Sequence, residues 1–281
     1  MAGVSTKEIN NRLRRMESTK QITKAMEMVA ASKLRRAQAQ VLNSRPYFEI
    51  LHQTITDISV SNRDFSSQYL KEQPKSKVMY IVIAGDRGLA GGYNANLFRM
   101  AAEAMQEGAC CVLPVGKKTL EHFARRKYEI VSTYFGVTGS LGIGDCAQIA
   151  KLLCEGYADG RFERVTVLYT EFRSMLSQVP TAEQLLPITV DADGRQVGGA
   201  LLEGDPAELV GRIVPLYVSG MLYSAVCEAS ASEQGARRTA MNAANKNADE
   251  IIDTLTLHYN RARQAVITRE ITEIVSGAEA L

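Results

Sequence analysis

The chain contains no tryptophan, and its aromatic content is only 6%. Hydrophobic residues nevertheless make up 46% of its 281 residues, supplied largely by alanine, leucine, isoleucine and valine. This composition favours helices, and the length is sufficient for a medium-sized core plus long extended elements. We therefore expect a helix-rich chain rather than a single large globular core.

Disulfide and membrane signatures are also missing. The five cysteines form no C-x-x-C pair, and their odd number argues against a disulfide framework. They are expected to be small buried hydrophobic residues in a reducing compartment. No unbroken apolar run reaches the roughly 18 residues that span a bilayer, and the first residues lack an apolar signal core. The sequence therefore predicts neither a transmembrane run nor a secretory leader.

The sequence shows no recognisable catalytic or metal-binding motif. The three histidines, His52, His122 and His258, have no second ligand at metal spacing. No Ser-His-Asp arrangement or pair of carboxylates indicates acid-base chemistry. We therefore expect no catalysis, no cofactor and no bound metal.

One glycine-rich segment, residues 85–94 (GDRGLAGGYN), follows a β-rich run and precedes a helical pattern. In that position, glycines allow backbone N–H groups to hold a phosphate at a helix N-terminus. The spacing is not G-x-G-x-x-G, however, and Gly116-Lys117-Lys118-Thr119 lacks the first glycine of a phosphate-binding loop. A structural turn is therefore the favoured interpretation, and a nucleotide site is the alternative.

The N-terminal segment predicts a long helix. Between Gly3 and Pro46 there is neither glycine nor proline, and apolar residues recur every three or four positions over residues 6–61. Such a helix would be roughly 75 Å long, longer than an ordinary domain, so it needs a helical partner. Residues 1–45 carry ten Lys or Arg against three Glu, which indicates a solvated surface or an acidic protein partner rather than nucleic acid.

The partner helix is predicted at the other end of the chain, over residues 206–281. Pro215 lies inside this range, and we expect the helix to start or kink there. The two terminal helices are expected to pair antiparallel, with the longer C-terminal helix protruding. Small residues that would let the two backbones approach closely are Ala229, Ala236, Ala240, Ala243, Ala244 and Ala248.

Between the two helices, short β-rich runs alternate with helix-like stretches. This alternation predicts a Rossmann-like α/β domain with a mainly parallel sheet. The expected fold class is thus mixed, α+β and α/β, with a central α/β domain and a long antiparallel coiled coil of the terminal helices. The predicted divisions are residues 1–61 for the N-terminal coiled-coil helix, 75–205 for the central domain and 206–281 for the C-terminal coiled-coil helix.

The last sixteen residues, VITREITEIVSGAEAL, carry apolar residues at helical spacing up to the last residue. Because a helix end frays unless something holds it, this segment is expected to be enclosed by another protein. It closely resembles the C-terminal signature of the γ subunit of F-type ATP synthase. The matching residues are Ile267-Thr268-Arg269-Glu270, Glu273-Ile274 and Ser276-Gly277-Ala278, in the family's order.

The resemblance covers nearly the whole chain. Residues 21–38 (QITKAMEMVAASKLRRAQ) are similar to the family's first-helix hallmark, and residues 232–248 (SEQGARRTAMNAANKNA) are similar to a third block. The turn at residues 85–94 is similar to a structural hallmark of the family's central domain. The chloroplast-type insertion with its cysteine pair is absent, which indicates a bacterial protein without thiol control. Departures from the family pattern are Ala90, where Cys is frequent, and Gly235 and Arg238.

The resemblance implies a central rotor stalk of F1Fo ATP synthase, a non-catalytic subunit bound peripherally at the cytoplasmic face of a bacterial membrane. Its coiled coil would stand inside a ring of three α and three β subunits, and its α/β domain would sit with ε on the c-ring. Rotation driven by H⁺ or Na⁺ would then cycle the catalytic β subunits through their conformations. The residues that this resemblance places against the α/β ring are Met26, Arg263, Gln264, Thr268, Glu270, Ile271, Ile274 and Val275.

Two other classes of protein fit parts of the sequence. One is a Rossmann-like nucleotide-binding enzyme with coiled-coil arms, and the other is a plain coiled-coil scaffold. Nucleotide titration of the isolated chain tests the first alternative. Identification of co-purifying subunits tests the second.

Overall fold

The computed structural model describes residues 6–61, 67–74, 76–106, 108–134, 141–189 and 206–279. Contacts divide the chain into two compact units, one formed by Met1–Ala30 with Arg238–Leu281 and the other by Ala31–Arg237. In chain order the elements are α1 (Thr6–Ser61), β1 (Lys77–Ile83), α2 (Tyr93–Ala104), β2 (Cys110–Val115), α3 (Lys117–Arg125), β3 (Glu129–Ile130), α4 (Ile143–Ala158), β4 (Phe162–Phe172), β5 (Gln178–Leu186) and α5 (Pro206–Glu279).

The two terminal helices agree with the sequence expectation, because α1 ends at Ser61 and α5 begins at Pro206. The compact units, by contrast, cut across both helices rather than following changes in composition. The division into residues 1–61, 75–205 and 206–281 is predicted from changes in composition along the sequence, and it stays a prediction.

The first unit is an antiparallel pair of helical segments joined by polar contacts. Lys20 of α1 forms an ion pair with Asp249 of α5. One turn further along α1, Thr23 donates a hydrogen bond to Asn245, which in turn donates to Glu27 at 2.9 Å. Residue numbers of the partners fall along α5 as they rise along α1, so the two segments run in opposite directions.

Asn245 is the central polar residue of this pairing. It is 7% exposed, and its amide uses both its acceptor oxygen and its donor nitrogen across the helix pair. The Glu27 carboxylate also receives hydrogen bonds from Lys24 and Asn242, and these contacts hold its pKa below the usual range despite the opposing effect of burial. A buried polar group with specific partners fixes the register of two helices, which apolar contacts alone do less well.

The second unit contains a five-stranded sheet in the order β3-β2-β1-β4-β5. Strand β1 pairs parallel with β2 and β4, whereas β5 runs antiparallel to β4. Six of the seven residues of β1 are buried, because helices cover both faces of the sheet. Side chains that alternate along β1 enter two different cores, with Met79 and Ile81 on the side of α4 and α5 and Val82 on the side of α2 and α3.

Two strands differ from the sequence expectation. The sequence predicts a strand in the β-rich run at residues 128–135, but within the described residues 128–134 only Glu129–Ile130 form a strand, β3, and Tyr134 makes an isolated bridge. Strand β5 has no counterpart among the predicted runs, since Pro180 argues against a strand when the sequence is read alone. The structure accommodates Pro180 because β5 lies at the edge of the sheet, where one side of the strand requires no ladder hydrogen bond.

Pro215 lies inside α5, so the helix does not start there, and the alternative of a kink at Pro215 stays a prediction. Val210, Val214, Val218 and Leu222 recur every fourth residue and are buried against the sheet core. This packing stabilises the helix on both sides of Pro215, even though proline cannot donate a backbone hydrogen bond.

One 18-residue window of α5 has a mean hydropathy of 1.4, which by length and composition alone is enough to cross a membrane. Half of that window is buried within the protein. The sequence expectation considered only unbroken apolar runs and did not detect this window. The core helix of a soluble protein shows the same pattern, so the window is weak evidence for a membrane span.

All five cysteines are free thiols, as expected from their spacing. Burial raises the pKa of Cys146 and of Cys154 to about 12. Thiols with such a high pKa carry almost no thiolate at neutral pH and are poor nucleophiles. Four of the five cysteines are buried core residues, as expected, whereas Cys110 is only half-buried.

The packing of α4 on β4 predicts that Gly156 cannot accept a side chain. A Cβ atom at this position would lie 2.8 Å from Cδ2 of the buried Phe162 ring. We expect Gly156→Ala to lower the free energy of unfolding by about 1–3 kcal/mol, measured by denaturant titration of the chain. The matched control is Gly144→Ala in the same helix, where nothing lies within 4 Å of the new methyl group. Equal effects of the two substitutions would contradict this packing.

The polar contacts between α1 and α5 predict that Asn245→Ala and Asn242→Ala change the free energy of unfolding by different amounts. Asn245→Ala removes both hydrogen bonds across the helix pair and is expected to destabilise the chain by about 1–3 kcal/mol in thermal unfolding. Asn242 is exposed and lies 3.4 Å from Glu27, so Asn242→Ala should change stability by less than about 0.5 kcal/mol. If Asn242→Ala lowered the stability more than Asn245→Ala, the register of α1 against α5 would be wrong.

Candidate functional site

The C-terminal part of α5 extends beyond its described partner on α1. The register set by the Lys20, Thr23 and Glu27 contacts places Thr6, the first described residue of α1, opposite the region of Arg263. All residues from 263 to 276 are exposed. This stretch, which we call the α5 tip (residues 263–276), is a helix surface that no described part of the chain covers.

The α5 tip combines an apolar stripe with a few polar groups. Ile267, Ile271 and Ile274 follow one another at intervals of four and three residues, so they lie on one face, and Ile274 is 72% exposed. Such a continuous exposed stripe is typical of a surface that contacts another protein. Val266 and Val275 are also exposed and widen the stripe.

The predicted polar contact residues occupy two further lines along the α5 tip. Gln264 and Thr268 are four residues apart and share a face, while Arg263 and Glu270, seven apart, lie on a neighbouring line. Within the described part of the chain, Arg263, Gln264 and Glu270 form no ion pair and no side-chain hydrogen bond. Their hydrogen-bonding groups therefore point into solvent and are accessible to a partner.

Met26, the remaining predicted contact residue, lies on α1 in the same unit. It is 38% exposed, whereas Thr23 and Glu27 make the contacts to α5. Ile22 and Val29 share its face at intervals of four and three residues and are each 55% exposed. Ile22 and Val29 belong to the apolar stripe that the sequence predicts for α1, but the family resemblance places only Met26 against the α/β ring. Met26 is thus the centre of an exposed apolar stripe beside the polar pairing.

The glycine-rich turn at residues 85–94 is held by the chain's own polar groups. The backbone N–H of Gly85 donates to the Asn94 side chain at 3.1 Å. The backbone N–H of Lys117, at the start of α3, donates to the Asp86 carboxylate at 2.8 Å. The Asp86 carboxylate in the turn therefore caps the N-terminus of α3 and places a negative charge beside the turn.

A second carboxylate, that of Glu233, packs against the turn. Glu233 of α5 is 1% exposed, and its carboxylate carbon lies 2.9 Å from the position that a Cβ on Gly85 would take. Burial raises the pKa of Glu233, and the adjacent Arg237 partly opposes this effect. Two acidic groups at the turn disfavour an anionic ligand. The geometry supports a structural turn over the nucleotide-binding alternative.

A groove of about 930 Å³ lies between α1, α5 and the strands β4 and β5. Glu49, Glu183 and Glu228 line it together with His52. Burial raises the pKa of Glu183 above its usual value, and the hydrogen bond from Tyr169 only partly opposes this effect. Across the described residues, no group of three His, Cys, Asp or Glu is placed to hold a metal ion. The groove therefore offers acidic side chains without a metal-binding geometry.

Comparison with known proteins identifies the family. A family model described as ATP synthase matches residues 5–281. The ATP synthase gamma chain of Ruminococcus albus is 41% identical over 278 residues and 97% of each chain is covered. That of Moorella thermoacetica is 40% identical, with 98% of each chain covered. A gamma chain from Acetobacterium woodii described as sodium ion specific is 36% identical, with 99% of each chain covered.

Solved structures agree with the fold. The chain matches a chain of the Euglena gracilis mitochondrial ATP synthase, in a structure described as OSCP/F1/c-ring, with a TM-score of 0.70 and 19% identity over 98% of this chain and 94% of that one. A chain of the Tetrahymena thermophila enzyme, described as central stalk/c-ring, gives a TM-score of 0.62. The family model, the bacterial relatives and the shared fold agree with the three sequence motifs. The chain therefore belongs to the ATP synthase γ chain family.

Proposed function

We propose that this chain works without catalysing a reaction, as a shaft whose α5 tip and Met26 stripe contact a surrounding ring of three α and three β subunits. The observation that carries the proposal is the exposed α5 tip, which combines apolar and polar groups without a described partner. A helix with this surface is incomplete alone, because water-exposed apolar stripes are unfavourable and isolated helix ends fray.

The proposed mechanism depends on asymmetry rather than on chemistry. A shaft built from two helical segments cannot present the same face to three equivalent β subunits. Each orientation of the shaft therefore stabilises a different conformation in each catalytic subunit. When ion flow turns the c-ring, the shaft rotates and the three sites exchange their conformations in turn, which converts rotation into ATP synthesis.

The proposed partners follow from the two units. The helix pair carries the surfaces for the α and β subunits, whereas the unit with the sheet is proposed to bind ε and the c-ring. In this arrangement, the chain is peripheral and lies at the cytoplasmic face of a bacterial membrane. Purification of the complex, with identification of its subunits, tests this set directly, and recovery of the tagged chain without α and β subunits would contradict it.

The two kinds of surface on the α5 tip have different proposed tasks. Hydrogen bonds from Arg263, Gln264 and Thr268 depend on orientation, so they are suited to specify particular rotary positions. The apolar stripe of Ile271, Ile274 and Val275 makes non-directional contacts and tolerates rotation. Loss of a polar group should therefore matter more than loss of part of the apolar end.

Met26→Lys tests the proposed contact on α1. An added cation beside an acidic partner surface would form an extra charge-assisted contact worth about 1.5–3 kcal/mol and favour one rotary position over the others. We expect ATP-driven proton or sodium pumping per ATP hydrolysed to fall, while assembly and melting temperature stay near those of the wild type.

The matched control is Met28→Lys, because Met28 is 60% exposed but does not share the face of Ile22, Met26 and Val29. Its effect on pumping should be smaller. A large drop in melting temperature with normal pumping per ATP in Met26→Lys would contradict the contact and place Met26 in the helix pairing instead.

The α5 tip gives a second comparison, between polar and terminal residues. Arg263→Leu or Gln264→Leu leaves a partner group unpaired in the assembled ring and should cost about 1–3 kcal/mol. ATP turnover or assembly should decline in either variant. Deletion of residues 276–281 should have a smaller effect, because it leaves these polar groups and most of the apolar stripe in place. A truncation that abolishes rotation, together with a near-normal Arg263 and Gln264 double variant, would refute the assignment.

A further inference from the structure

Glu233 is a charged residue in a position where charge is costly. Its side chain is 1% exposed, and one carboxylate oxygen, Oε1, accepts a hydrogen bond from Arg237 one turn further along α5. The other oxygen, Oε2, makes no hydrogen bond within the described residues. Arg237 is itself largely buried, with 14% of its side chain exposed. We call this pair the 233/237 latch.

Both side chains of the 233/237 latch contact the glycine-rich turn. The Glu233 carboxylate packs against Gly85, where a Cβ atom would meet it at 2.9 Å. Arg237 uses the same guanidinium nitrogen, Nη2, to reach the backbone carbonyl of Gly88 at 3.3 Å. Both ends of the ion pair therefore touch the backbone between β1 and α2.

Two neighbouring hydrogen bonds connect α5 to the same part of the sheet. Tyr93, at the start of α2, donates to the backbone carbonyl of Ala229 at 3.0 Å. Ser232 donates to the backbone carbonyl of Thr170 in β4 at 2.9 Å. Residues 229–237 of α5 are thus joined to the sheet by directional contacts to the backbone, beside the apolar packing made earlier in the helix.

The physical difference between these two kinds of contact is one of precision. Apolar packing holds α5 close to the sheet, but its energy changes little when a helix rotates or slides by a small amount. Hydrogen bonds to backbone carbonyls weaken steeply with distance and angle, so they fix rotation and register. A buried ion pair contributes little net stability compared with apolar side chains of similar volume, and its best-supported role is to fix one arrangement.

We infer that Glu233 and Arg237 are positioning residues that fix the rotational register of α5 against the glycine-rich turn, so that torque passes between the sheet and α5 without slippage. The inference rests on the proposed function of the chain as a rotor shaft. It gives the glycine-rich turn a mechanical role in place of a ligand-binding one. Glycine at position 85 leaves the space that the Glu233 carboxylate occupies.

The primary test is Glu233→Gln in the assembled ATP synthase, measured as ions pumped per ATP hydrolysed. The substitution keeps the shape of the side chain but removes the charge that faces Arg237. We expect pumping per ATP to fall roughly twofold or more, the lower range of coupling changes that follow from single substitutions along a mechanical path. The matched control is Glu208→Gln, which breaks the exposed Arg212 ion pair of α5 at the same spacing and should leave pumping unchanged.

Gly156→Ala distinguishes a positioning role of Glu233 from a purely structural one. This substitution destabilises the same unit through the packing of α4 on β4 and does not touch the 233/237 latch. If Glu233→Gln and Gly156→Ala lower the melting temperature of the complex equally but only Glu233→Gln lowers pumping per ATP, the positioning role is supported. If pumping follows melting temperature in both variants, the inference is overturned. Failure of the wild-type chain to join a pumping complex would overturn the proposed function itself and is seen in the same experiment.

The contact with the turn is tested by combining Gly85→Ala with Glu233→Ala. Alone, Gly85→Ala should lower the melting temperature of the chain, since the new methyl group meets the carboxylate. In the Glu233→Ala background, the methyl group should fill the vacated space and be neutral or favourable. An equal loss in both backgrounds would show that Glu233 does not pack on Gly85 and would overturn the inference.

Discussion

One constraint governs this protein: α5 has to be buried over its first part and exposed over its last. Residues such as Val214 and Leu222 belong to the core beneath the sheet, whereas Ile271 and Ile274 are open to solvent in the same helix. A helix is stabilised mainly by packing of its apolar face, so its exposed part depends on a surface supplied from elsewhere. The proposed function uses this division, because the exposed part of α5 offers a surface to a partner.

Polar groups set the geometry in each unit, while apolar groups supply most of the attraction. In the helix pair, Asn245 and Glu27 define the antiparallel register. In the unit with the sheet, Glu233 and Arg237 make directional contacts with the backbone of the glycine-rich turn. Buried groups of this kind are expensive unless their partners are in place, which is why each of them favours one arrangement over its alternatives.

Much of this architecture could be predicted from sequence because it follows from periodicity. The helical period defined α1 and α5 to within a few residues, and alternating β-rich runs predicted the parallel strands. The strand that the sequence did not predict, β5, has a local physical cause: it contains Pro180, which a strand tolerates here because β5 lies at the edge of the sheet. Met26 and the α5 tip residues were chosen by resemblance and stay predictions. Glu233 could not be selected from sequence, since its burial against Gly85 is visible only in three dimensions.

The glycine-rich turn lies where many α/β proteins bind a ligand, but here the chain's own side chains pack against it. In doubly wound α/β proteins, the crevice at the carboxyl ends of the strands is where ligands bind, with a helix N-terminus facing an anion. Here the Asp86 carboxylate accepts the N–H at the start of α3, and Glu233 fills the space beside Gly85. The chain's own carboxylates therefore pack against the turn, and they join it to the start of α3 and to residues 233–237 of α5.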